Sequence, residues 1–442
     1  MFRPQDISYH IISLGCAKNL VDSERVHGEM ASRGFSLAPA PERADIIIIN
    51  TCGFIDEAKR ESIDVILEAL SLKAPKKGCT NPAAEKGFER RIAVAGCLSK
   101  RYRDALKTDI PEIDLLYGLA DGGLVAAICT AFGIRSGRAA GIGKPLDPSL
   151  PYRYLKISEG CSNACSYCAI PLIRGRRVSF APREILKNAR RAADEGAKEL
   201  ILVAQDTAAY RYGDLRLPDL VESIARVRGI EWIRLMYCHP DHLSDSIVRL
   251  FERCGRLVRY IDIPFQHASG RILASMGRRG DAESYLRLIR RLRARIPGIR
   301  IRSTFMTGYP GETDRDFNEL LEFLKEARID RAGCFVYSRE EGTRAAALSA
   351  HVQRGVGLAR RRRLMRLQQK ISRMKLEEMI GSVVPVLVEA RLDGRTWAGR
   401  TQYDAPEVDG IFYLTGTGDM LNSIVEARVT GCAEYDLFGV PA

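Results

Sequence analysis

The chain has 442 residues, of which 46% are hydrophobic and 28% are charged, and it carries a net charge of +13. This composition excludes a disordered or fibrous chain, and the lack of a long apolar run or an apolar leader argues against membrane-spanning and secreted classes, so we expect a cytoplasmic protein. Twelve cysteines in such a reducing compartment favour metal binding or catalysis over disulfides.

The first part of the chain, residues 1–135, alternates short apolar runs with helical patterns. Three of the runs are typical of buried parallel strands: HIISLGC (10–16), DIIIINTC (45–52) and RIAVAGC (91–97). Residues 22–35 predict a helix between the first two, with Asp22 or Ser23 as its N-cap and Gly34 as its stop. The strand–helix–strand order predicts an N-terminal domain with an open α/β sheet.

A surface loop at residues 74–90 and a flexible linker at residues 136–151 are predicted from their glycines and prolines. A second α/β region follows at residues 152–378, with helical patterns between most of its strands. The six strand candidates are residues 153–160, 199–206, 231–237, 260–266, 299–308 and 332–338. Repeated βα units predict a parallel barrel, and six units fall short of a full eight, so we expect an open, partial barrel.

The second α/β region closes with an arginine-rich helical pattern at residues 358–380, which we interpret as a solvated helix face rather than a binding patch. Residues 379–442 carry short strand patterns with glycine turns, which predict a small β-barrel. From Gly381 to Ala442, four arginines stand against nine aspartates and glutamates, a net charge of −5 that leaves +18 on the rest. The partners of this protein must therefore suit an acidic barrel on a basic body.

Three cysteines, Cys161, Cys165 and Cys168, follow the first strand of the predicted barrel. This is the carboxyl end of the strand, where barrel enzymes hold their active sites. Iron–sulfur clusters are bound by cysteine thiolates, and a 4Fe–4S cube with three cysteines leaves one iron able to bind another ligand. The alternative is a zinc site completed by a distant His or Cys. The spacing and the position after a strand favour the cluster.

Cys16, Cys52 and Cys97 each end an apolar strand of the N-terminal region, 36 and 45 residues apart. In an open α/β sheet, ligands bind outside the carboxyl ends of the strands, so three cysteines remote in sequence can converge on one crevice. A single cysteine at a strand end is often just a small buried residue. Three at equivalent positions predict a second three-cysteine cluster with an open iron.

The spacing of Cys161, Cys165 and Cys168 resembles the motif of the radical S-adenosylmethionine (SAM) superfamily. Two such trios, on an α/β domain followed by a partial barrel, resemble the methylthiotransferase family of this superfamily. The resemblance covers essentially the whole chain. The stretches that carry the resemblance are SLGCAKNLVDSE (13–24), NTCGFIDEAKRES (50–62), ISEGCSNACSYCAIP (157–171), DIPFQHAS (262–269), RSTFMTGYPGET (302–313) and DAPEVDG (404–410).

The resemblance implies two 4Fe–4S clusters, one on each trio, two molecules of SAM per turnover, and a C-terminal TRAM domain. It implies that Cys161, Cys165 and Cys168 are catalytic, because their cluster cleaves SAM to a carbon radical. The residues for which it implies SAM contacts are Tyr167, Gln205, Asp206, Gly308 and Glu312. Gln266 and His267 are predicted to face a substrate pocket, with a purely structural role as the alternative for His267.

The motifs are closest to the branch of the family that methylthiolates the β-carbon of an aspartate in small-subunit ribosomal protein S-twelve. The resemblance then implies as partners that protein or the subunit carrying it, a flavodoxin or ferredoxin electron donor, and a sulfur donor, with no membrane. The acidic barrel supports this branch, since phosphate binding demands Lys and Arg. The basic body supports the alternative, a tRNA adenosine methylthiotransferase.

Two alternatives of other classes stay open. An iron–sulfur electron carrier would normally complete each cube with a fourth cysteine, which disfavours it here. A zinc-stabilised RNA-binding protein would have tetrahedral sulfur sites and no colour. The remaining cysteines match no motif and are interpreted as spare or core thiols: Cys79, Cys129, Cys238, Cys254, Cys334 and Cys432.

Overall fold

The computed structural model describes residues 2–73, 87–135 and 145–442. Its contacts divide the chain into two compact units, the first made of Met1–Pro148 with Ala169–Arg176 and the second of Ser149–Cys168 with Arg177–Ala442. Cys79 and most of the predicted loop and linker lie outside the described residues. The domain boundaries predicted after residues 135, 151 and 378 stay predictions. No helix in the described ranges has the length and apolar character to cross a membrane.

The first unit is built on a five-stranded parallel sheet with the order β2-β1-β3-β4-β5. Its elements are β1 (Ser8–Ser13), α1 (Ala17–Ser32), β2 (Ser36–Leu37), β3 (Ile46–Thr51), α2 (Asp56–Ser71), β4 (Arg91–Gly96), α3 (Cys97–Arg101), α4 (Arg103–Asp109), β5 (Leu115–Leu116) and α5 (Leu124–Ala131). Ile46 and Ile48 face one hydrophobic cluster while Ile47 and Ile49 face another, so both faces of the sheet are covered. The predicted open α/β sheet is confirmed.

Helix α1 begins five residues earlier than its predicted N-cap at Asp22. Cys16, with φ −110° and ψ 166°, stands at the N-cap position, and Asp22 and Ser23 are buried within the helix. The Ser23 hydroxyl donates to Ser13 Oγ at 2.9 Å and accepts from Asn50 Nδ2 at 2.9 Å. The N-cap prediction was wrong because Ser23 bonds side chains at the ends of β1 and β3 and Asp22 pairs with Arg174 at 3.1 Å, so neither residue caps the helix. Gly34, at φ +92°, follows the helix end as predicted.

The second unit contains a six-stranded sheet with the order β15-β14-β13-β12-β9-β6, parallel in every described pair, and its two edge strands do not pair. The open, partial barrel predicted from six βα units is therefore confirmed. Its elements are β6 (Tyr152–Lys156), β7 (Ser158–Glu159), β8 (Val178–Ser179), α7 (Pro182–Asp194), β9 (Glu199–Val203), β10 (Arg211–Tyr212), β11 (Leu215–Arg216), α8 (Leu217–Ile224), β12 (Trp232–Leu235), α9 (Asp245–Arg253), β13 (Leu257–Asp262), α10 (Gly270–Ser275), α11 (Ala282–Arg295), β14 (Arg300–Thr307), α12 (Asp314–Ala327), β15 (Arg331–Val336) and α13 (Arg354–Glu377). One further helix, α6 (Ile170–Arg174), falls within the segment that packs in the first unit.

The arginine-rich helix is α13, which runs from Arg354 to Glu377. Arg362, Arg363 and Arg366 are exposed, as expected for a solvated face. Arg360 of the same helix differs from these three arginines, because it is buried and its Nη1 lies 3.0 Å from Glu312 Oε2.

The last strands form the predicted small barrel, which is closed in the order β16-β17-β18-β20-β19. They are β16 (Val383–Arg391), β17 (Thr396–Thr401), β18 (Phe412–Thr415), β19 (Ile424–Cys432) and β20 (Leu437–Pro441). The connection between β17 and β18 packs against the amino ends of the six-stranded sheet: Asp404 pairs with Arg331 at 2.7 Å, and Asp409 accepts from Tyr260 Oη at 2.6 Å. These buried contacts join the two barrels into one compact unit.

Candidate functional site

The N-terminal trio of cysteines lies at the carboxyl ends of three neighbouring strands. Cys16 follows β1, Cys52 follows β3 and Cys97 follows β4, and these strands are adjacent in the sheet. Burial raises the pKa of Cys52 to about 12, and the neighbouring thiols of Cys16 and Cys97 add to the increase. Because β1, β3 and β4 are parallel neighbours that end at one edge of the sheet, cysteines separated by 36 and 45 residues come together there.

A glycine stands beside each cysteine of this trio, and each is required by close packing. A Cβ on Gly15, which has φ +90°, would lie 2.7 Å from Cys52 Cβ and 2.9 Å from Cys52 Sγ. A Cβ on Gly53 would lie 2.8 Å from Leu98 Cα, and one on Gly96 would lie 2.4 Å from Thr51 O. Such contacts are shorter than real Cβ atoms make, so the three glycines form a cradle around the cysteines. The sequence signal was the pairing of Gly and Cys at all three positions.

Cys16 has the surroundings of a reactive thiolate. Desolvation of its thiol raises the pKa, but the charge of Lys18, the backbone N–H of Asn19 and the charge of Arg174 outweigh this, and the pKa is lowered overall. The backbone N–H groups of Lys18 and Asn19 belong to the first turn of α1, where the helix dipole favours a negative charge. Thiolates are the form of cysteine that binds iron, so the donor set fits an iron–sulfur cluster.

Arg174 is a member of this site that the sequence analysis missed. Its guanidinium is buried and contacts three partners: Nε lies 3.4 Å from Cys97 Sγ, Nη2 lies 2.6 Å from Asn19 Oδ1, and Nη1 lies 3.1 Å from Asp22 Oδ2. The residue ends α6, only six positions after Cys168. No spacing rule connects Arg174 to Cys97, because the contact depends on where residues 169–176 pack.

The second trio lies in the loop after β6 and β7, at the carboxyl end of the six-stranded sheet. Asn163 donates its backbone N–H to Cys161 Sγ at 3.4 Å, and Cys168 donates its N–H to Cys165 O at 3.3 Å. Arg278 is buried and its Nη1 lies 3.7 Å from Cys165 Sγ. All three thiols are partly exposed. The loop thus holds the cysteines at the mouth of the partial barrel, as predicted.

Hydrogen bonds and a close backbone approach from the barrel fix this cysteine loop. Ser166 N–H donates to Met276 O at 2.8 Å, and Ser166 Oγ lies 2.8 Å from Tyr309 Oη. Asn163 Nδ2 donates to Asp206 Oδ2 at 2.8 Å. A Cβ on Gly277, at φ +71°, would lie 2.5 Å from Ala164 O, so only glycine allows the turn to approach the loop.

The predicted SAM-contact residues occupy two kinds of surroundings. Tyr167 is in the hydrophobic core beside Cys165, and Gln205 is half-buried at the end of β9. The carboxylates of Asp206 and Glu312 already have protein partners: His242 Nδ1 lies 2.6 Å from Asp206 Oδ2. Their predicted contacts with SAM stay predictions.

Glu312 links the carboxyl end of β14 to α13. Its carboxylate accepts from Gly308 N–H and from Arg360 Nη1, and it lies 3.5 Å from His267 Nε2. His267 is fully buried, and its Nδ1 accepts from Ser269 N–H at 3.0 Å. The predicted substrate-pocket role of Gln266 and His267 stays a prediction, as does the structural alternative for His267.

Four polar side-chain atoms at the carboxyl ends of the barrel strands are buried without a hydrogen-bond partner among the described residues. They are Ser158 Oγ, Thr207 Oγ1, Gln266 Oε1 and Tyr337 Oη. Buried polar groups are normally satisfied, so each such atom indicates a missing ligand or water. Gln266 also has φ +71°, a conformation rare for a residue other than glycine. A ligand with amino, carboxylate and hydroxyl groups, such as SAM, fits this edge.

Among the described residues, no three Cys, His, Asp or Glu side chains form a group suited to one metal ion. A 4Fe–4S cube takes its thiolates on three different irons, so it spaces them more widely than one ion does. The other described cysteines belong to hydrophobic clusters or pack against them, as expected for core thiols: Cys129, Cys238, Cys254, Cys334 and Cys432.

Three family models match the chain. A model described as the radical SAM superfamily matches residues 155–324, one described as uncharacterized protein family UPF0004 matches residues 8–118, and a TRAM domain matches residues 380–441. These matches fall on the partial barrel, the N-terminal sheet and the closed C-terminal barrel.

Curated relatives match almost the full chain. The ribosomal protein uS12 methylthiotransferase RimO of Pelotomaculum thermopropionicum is 43% identical over 452 residues, which cover 98% of this chain and 99% of the relative. The protein of the same name from Desulfitobacterium hafniense is 40% identical over 447 residues and covers 97% of each chain.

Among solved structures, the radical SAM methyltransferase TsrM of Kitasatospora setae, with cobalamin and a [4Fe-4S] cluster bound, matches with a TM-score of 0.55 at 13% identity and covers 75% of each chain. A second structure of TsrM, with tryptophan and a SAM analogue bound, gives a TM-score of 0.53 at 14% identity. At this identity the likeness concerns the fold alone.

Proposed function

The chain belongs to the RimO family of radical SAM methylthiotransferases, and from this membership we propose that it adds a methylthio group to the β-carbon of an aspartate in the ribosomal protein for which its relatives are named. The proposed cluster ligands are Cys161, Cys165 and Cys168 in the second unit, and Cys16, Cys52 and Cys97 in the first. When bound, the two clusters and SAM supply the electron, the carbon radical, the sulfur and the methyl group. The protein supplies two separate cysteine sites and the groups that hold them.

The observation that carries the proposal is the second trio in the first unit. A radical SAM motif alone is compatible with many reactions, whereas a second cysteine site, in which the pKa of Cys16 is lowered and Arg174 Nε lies 3.4 Å from Cys97 Sγ, provides a place for sulfur chemistry. The Gly15, Gly53 and Gly96 cradle supports this role, because Gly15 allows close approach to the Cys52 side chain while Gly53 and Gly96 allow the backbone segments that carry Cys52 and Cys97 to pack closely. In the second unit, the cysteine loop and the unsatisfied polar atoms at the strand ends support SAM binding.

The charge of the C-terminal barrel supports a basic protein as the substrate. Its net charge of −5 would repel the phosphates of tRNA. Exposed carboxylates at Glu407, Glu426 and Glu434 would attract the Lys and Arg side chains of a ribosomal protein. The basic body favours the second candidate, tRNA adenosine, so the test must include both.

The decisive experiment offers the reduced, reconstituted enzyme a peptide carrying the substrate aspartate loop and, in parallel, unmodified tRNA. We expect mass spectrometry to detect a methylthio group on the peptide only. A methylthio group on tRNA alone would establish the second candidate. Modification of neither, with SAM still cleaved to 5′-deoxyadenosine, would contradict both substrates.

The proposal also includes an electron donor, a sulfur donor and a cellular compartment. A low-potential carrier such as flavodoxin or ferredoxin would deliver the single electron, and a separate donor would replace the sulfur consumed in each turnover. The cytoplasm is the proposed compartment, because the proposed substrate is a ribosomal protein. Anaerobic reconstitution should yield about eight irons per chain, as two 4Fe–4S cubes imply; about four would contradict the second cluster.

A further inference from the structure

Each cysteine trio has one buried arginine against one of its sulfur atoms. In the first unit, Arg174 Nε lies 3.4 Å from Cys97 Sγ. In the second unit, Arg278 Nη1 lies 3.7 Å from Cys165 Sγ. Both arginines are more than nine-tenths buried, a rare state for this residue type. The two arise from unrelated parts of the chain, so the shared arrangement points to a shared purpose.

The guanidinium of Arg174 is held in a fixed orientation. Asn19 Oδ1 accepts from Nη2 at 2.6 Å and Asp22 Oδ2 accepts from Nη1 at 3.1 Å, which leaves Nε directed at Cys97. Asn19 and Asp22 are on α1, the helix that begins directly after Cys16. The helix that positions one cysteine therefore also positions the arginine that contacts another.

Arg278 is held in a comparable way. Its Nη2 donates to Pro264 O at 2.6 Å, while its Nε has no partner among the described residues. This buried N–H, beside a cysteine sulfur, is available to an acceptor of a bound cluster.

A buried cation next to a cluster sulfur has a defined electrostatic effect. One-electron reduction by a low-potential reductant makes the cluster more negative by one charge. Hydrogen bonds to the sulfurs and the surrounding charge set the reduction potential of iron–sulfur clusters. An N–H···S contact from a guanidinium stabilises the reduced state more than the oxidised state, so its loss makes reduction harder.

We propose that Arg174 and Arg278 are positioning residues that each raise the reduction potential of the cluster bound by the trio they contact. The inference deepens the proposed function, because it assumes that both trios hold 4Fe–4S clusters. Arg174 acts on the cluster of Cys16, Cys52 and Cys97, and Arg278 acts on the cluster of the radical SAM motif.

The test measures each cluster alone in the full-length chain. Replacing Cys161, Cys165 and Cys168 by Ala leaves the first cluster, and replacing Cys16, Cys52 and Cys97 by Ala leaves the second. In each background, R174Q, R174K, R278Q and R278K are reconstituted, and their midpoint potentials are measured by redox titration followed by electron paramagnetic resonance. Each arginine variant is the matched control for the other.

In the first background, we expect R174Q to shift the midpoint potential to more negative values, R174K to shift it less, and both Arg278 variants to leave it unchanged. The second background should give the reverse. An unchanged potential at full iron content in the cognate background would overturn the proposal. So would a loss of iron from both the Gln and the Lys variant, since the arginine would then be a structural requirement. If the cysteine backgrounds themselves hold no 4Fe–4S cluster, the proposed function fails instead.

Discussion

Gly15 is the residue at which backbone conformation and cluster binding can be separated. Gly15 has φ +90° and Gly34 has φ +92°, so alanine at either position costs about 1–2 kcal/mol for the backbone alone. Only at Gly15 would the new Cβ also lie 2.7 Å from Cys52 Cβ, whereas nothing lies within 4 Å of Gly34. We expect reconstituted Gly15→Ala to hold about four irons and Gly34→Ala about eight, as one and two cubes imply. Equal iron in the two variants would contradict the cradle.

His242 gives the second unit a pH-dependent contribution to stability. Its hydrogen bond to Asp206 Oδ2, at 2.6 Å, raises the pKa of His242 above its ordinary value. A raised folded pKa means that the stabilisation is complete below the ordinary pKa and is lost as the pH rises through the folded pKa. The difference in urea midpoint between the native protein and His242→Gln should therefore be larger at about pH 6 than at about pH 9.

The fluorescence of Trp232 and Trp397 measures this difference, because both tryptophans lie in the second unit. A difference in urea midpoint that does not vary with pH would show that the charge of His242 does not contribute to stability.

The positions of the candidate cysteine ligands at the strand ends could be predicted from sequence, whereas the residues that contact them could not. A three-cysteine motif and three cysteines at strand ends are local patterns, so spacing and periodicity were sufficient. The contacts of Arg174 and Arg278 join segments 77 and 113 residues apart, and no local pattern carries that information. The same limit applies to Asp206 and Glu312, whose protein partners come from distant loops and from α13.

At the scale of elements, the topology accounts for both trios. Parallel strands end at one edge of a sheet, so cysteines that follow β1, β3 and β4 must meet there. The strands were predicted within a few residues because buried parallel strands are continuous apolar runs. The start of α1 was missed because Asp22 and Ser23 have the chemistry of an N-cap, whereas Asp22 pairs with Arg174 and Ser23 bonds side chains at the strand ends.

The fold also gives a role to the DAPEVDG stretch. In the sequence this motif supported the resemblance to the family but did not indicate what its residues do. Residues 404–410 form part of the connection from β17 to β18, and Asp404 and Asp409 pair with Arg331, Tyr260 and Arg302 of the sheet. The stretch therefore attaches the C-terminal barrel to the amino ends of the six-stranded sheet.

Glu199 should be the most sensitive carboxylate of this attachment. It is fully buried between Arg234, at 2.6 Å, and Arg400 of β17, at 2.7 Å. Glu199→Gln leaves two buried cations without their shared anion, which costs about 3–5 kcal/mol of unfolding free energy. The control is Glu252→Gln, which breaks a partly exposed pair with Arg295 and should cost about 0–1 kcal/mol. Urea unfolding followed by tryptophan fluorescence measures both, and comparable losses would contradict the role of the buried network.

At the scale of the whole molecule, the acidic surface that would attract the substrate and the cysteines that would carry out the chemistry lie in different parts of the chain. The six candidate cysteine ligands all lie outside the residues from Gly381 to Ala442, whose net charge is −5. If this barrel attracts a basic ribosomal protein, the position of the negative charge matters as well as its amount. A test must therefore change the barrel and another surface by equal amounts.

Replacing Glu407, Glu426 and Glu434 by Lys reverses three exposed charges on the barrel, and replacing Glu319, Glu322 and Glu326 by Lys makes the same change on α12. Electrostatic steering changes association rates by about tenfold or more, and its effect falls with ionic strength. We expect the barrel variant to bind the ribosomal protein about tenfold more slowly at low salt, with a weaker salt dependence. The α12 variant should stay close to the native rate. Stopped-flow measurements over a range of salt concentrations distinguish the two, and equal slowing in both variants would mean that only net charge matters.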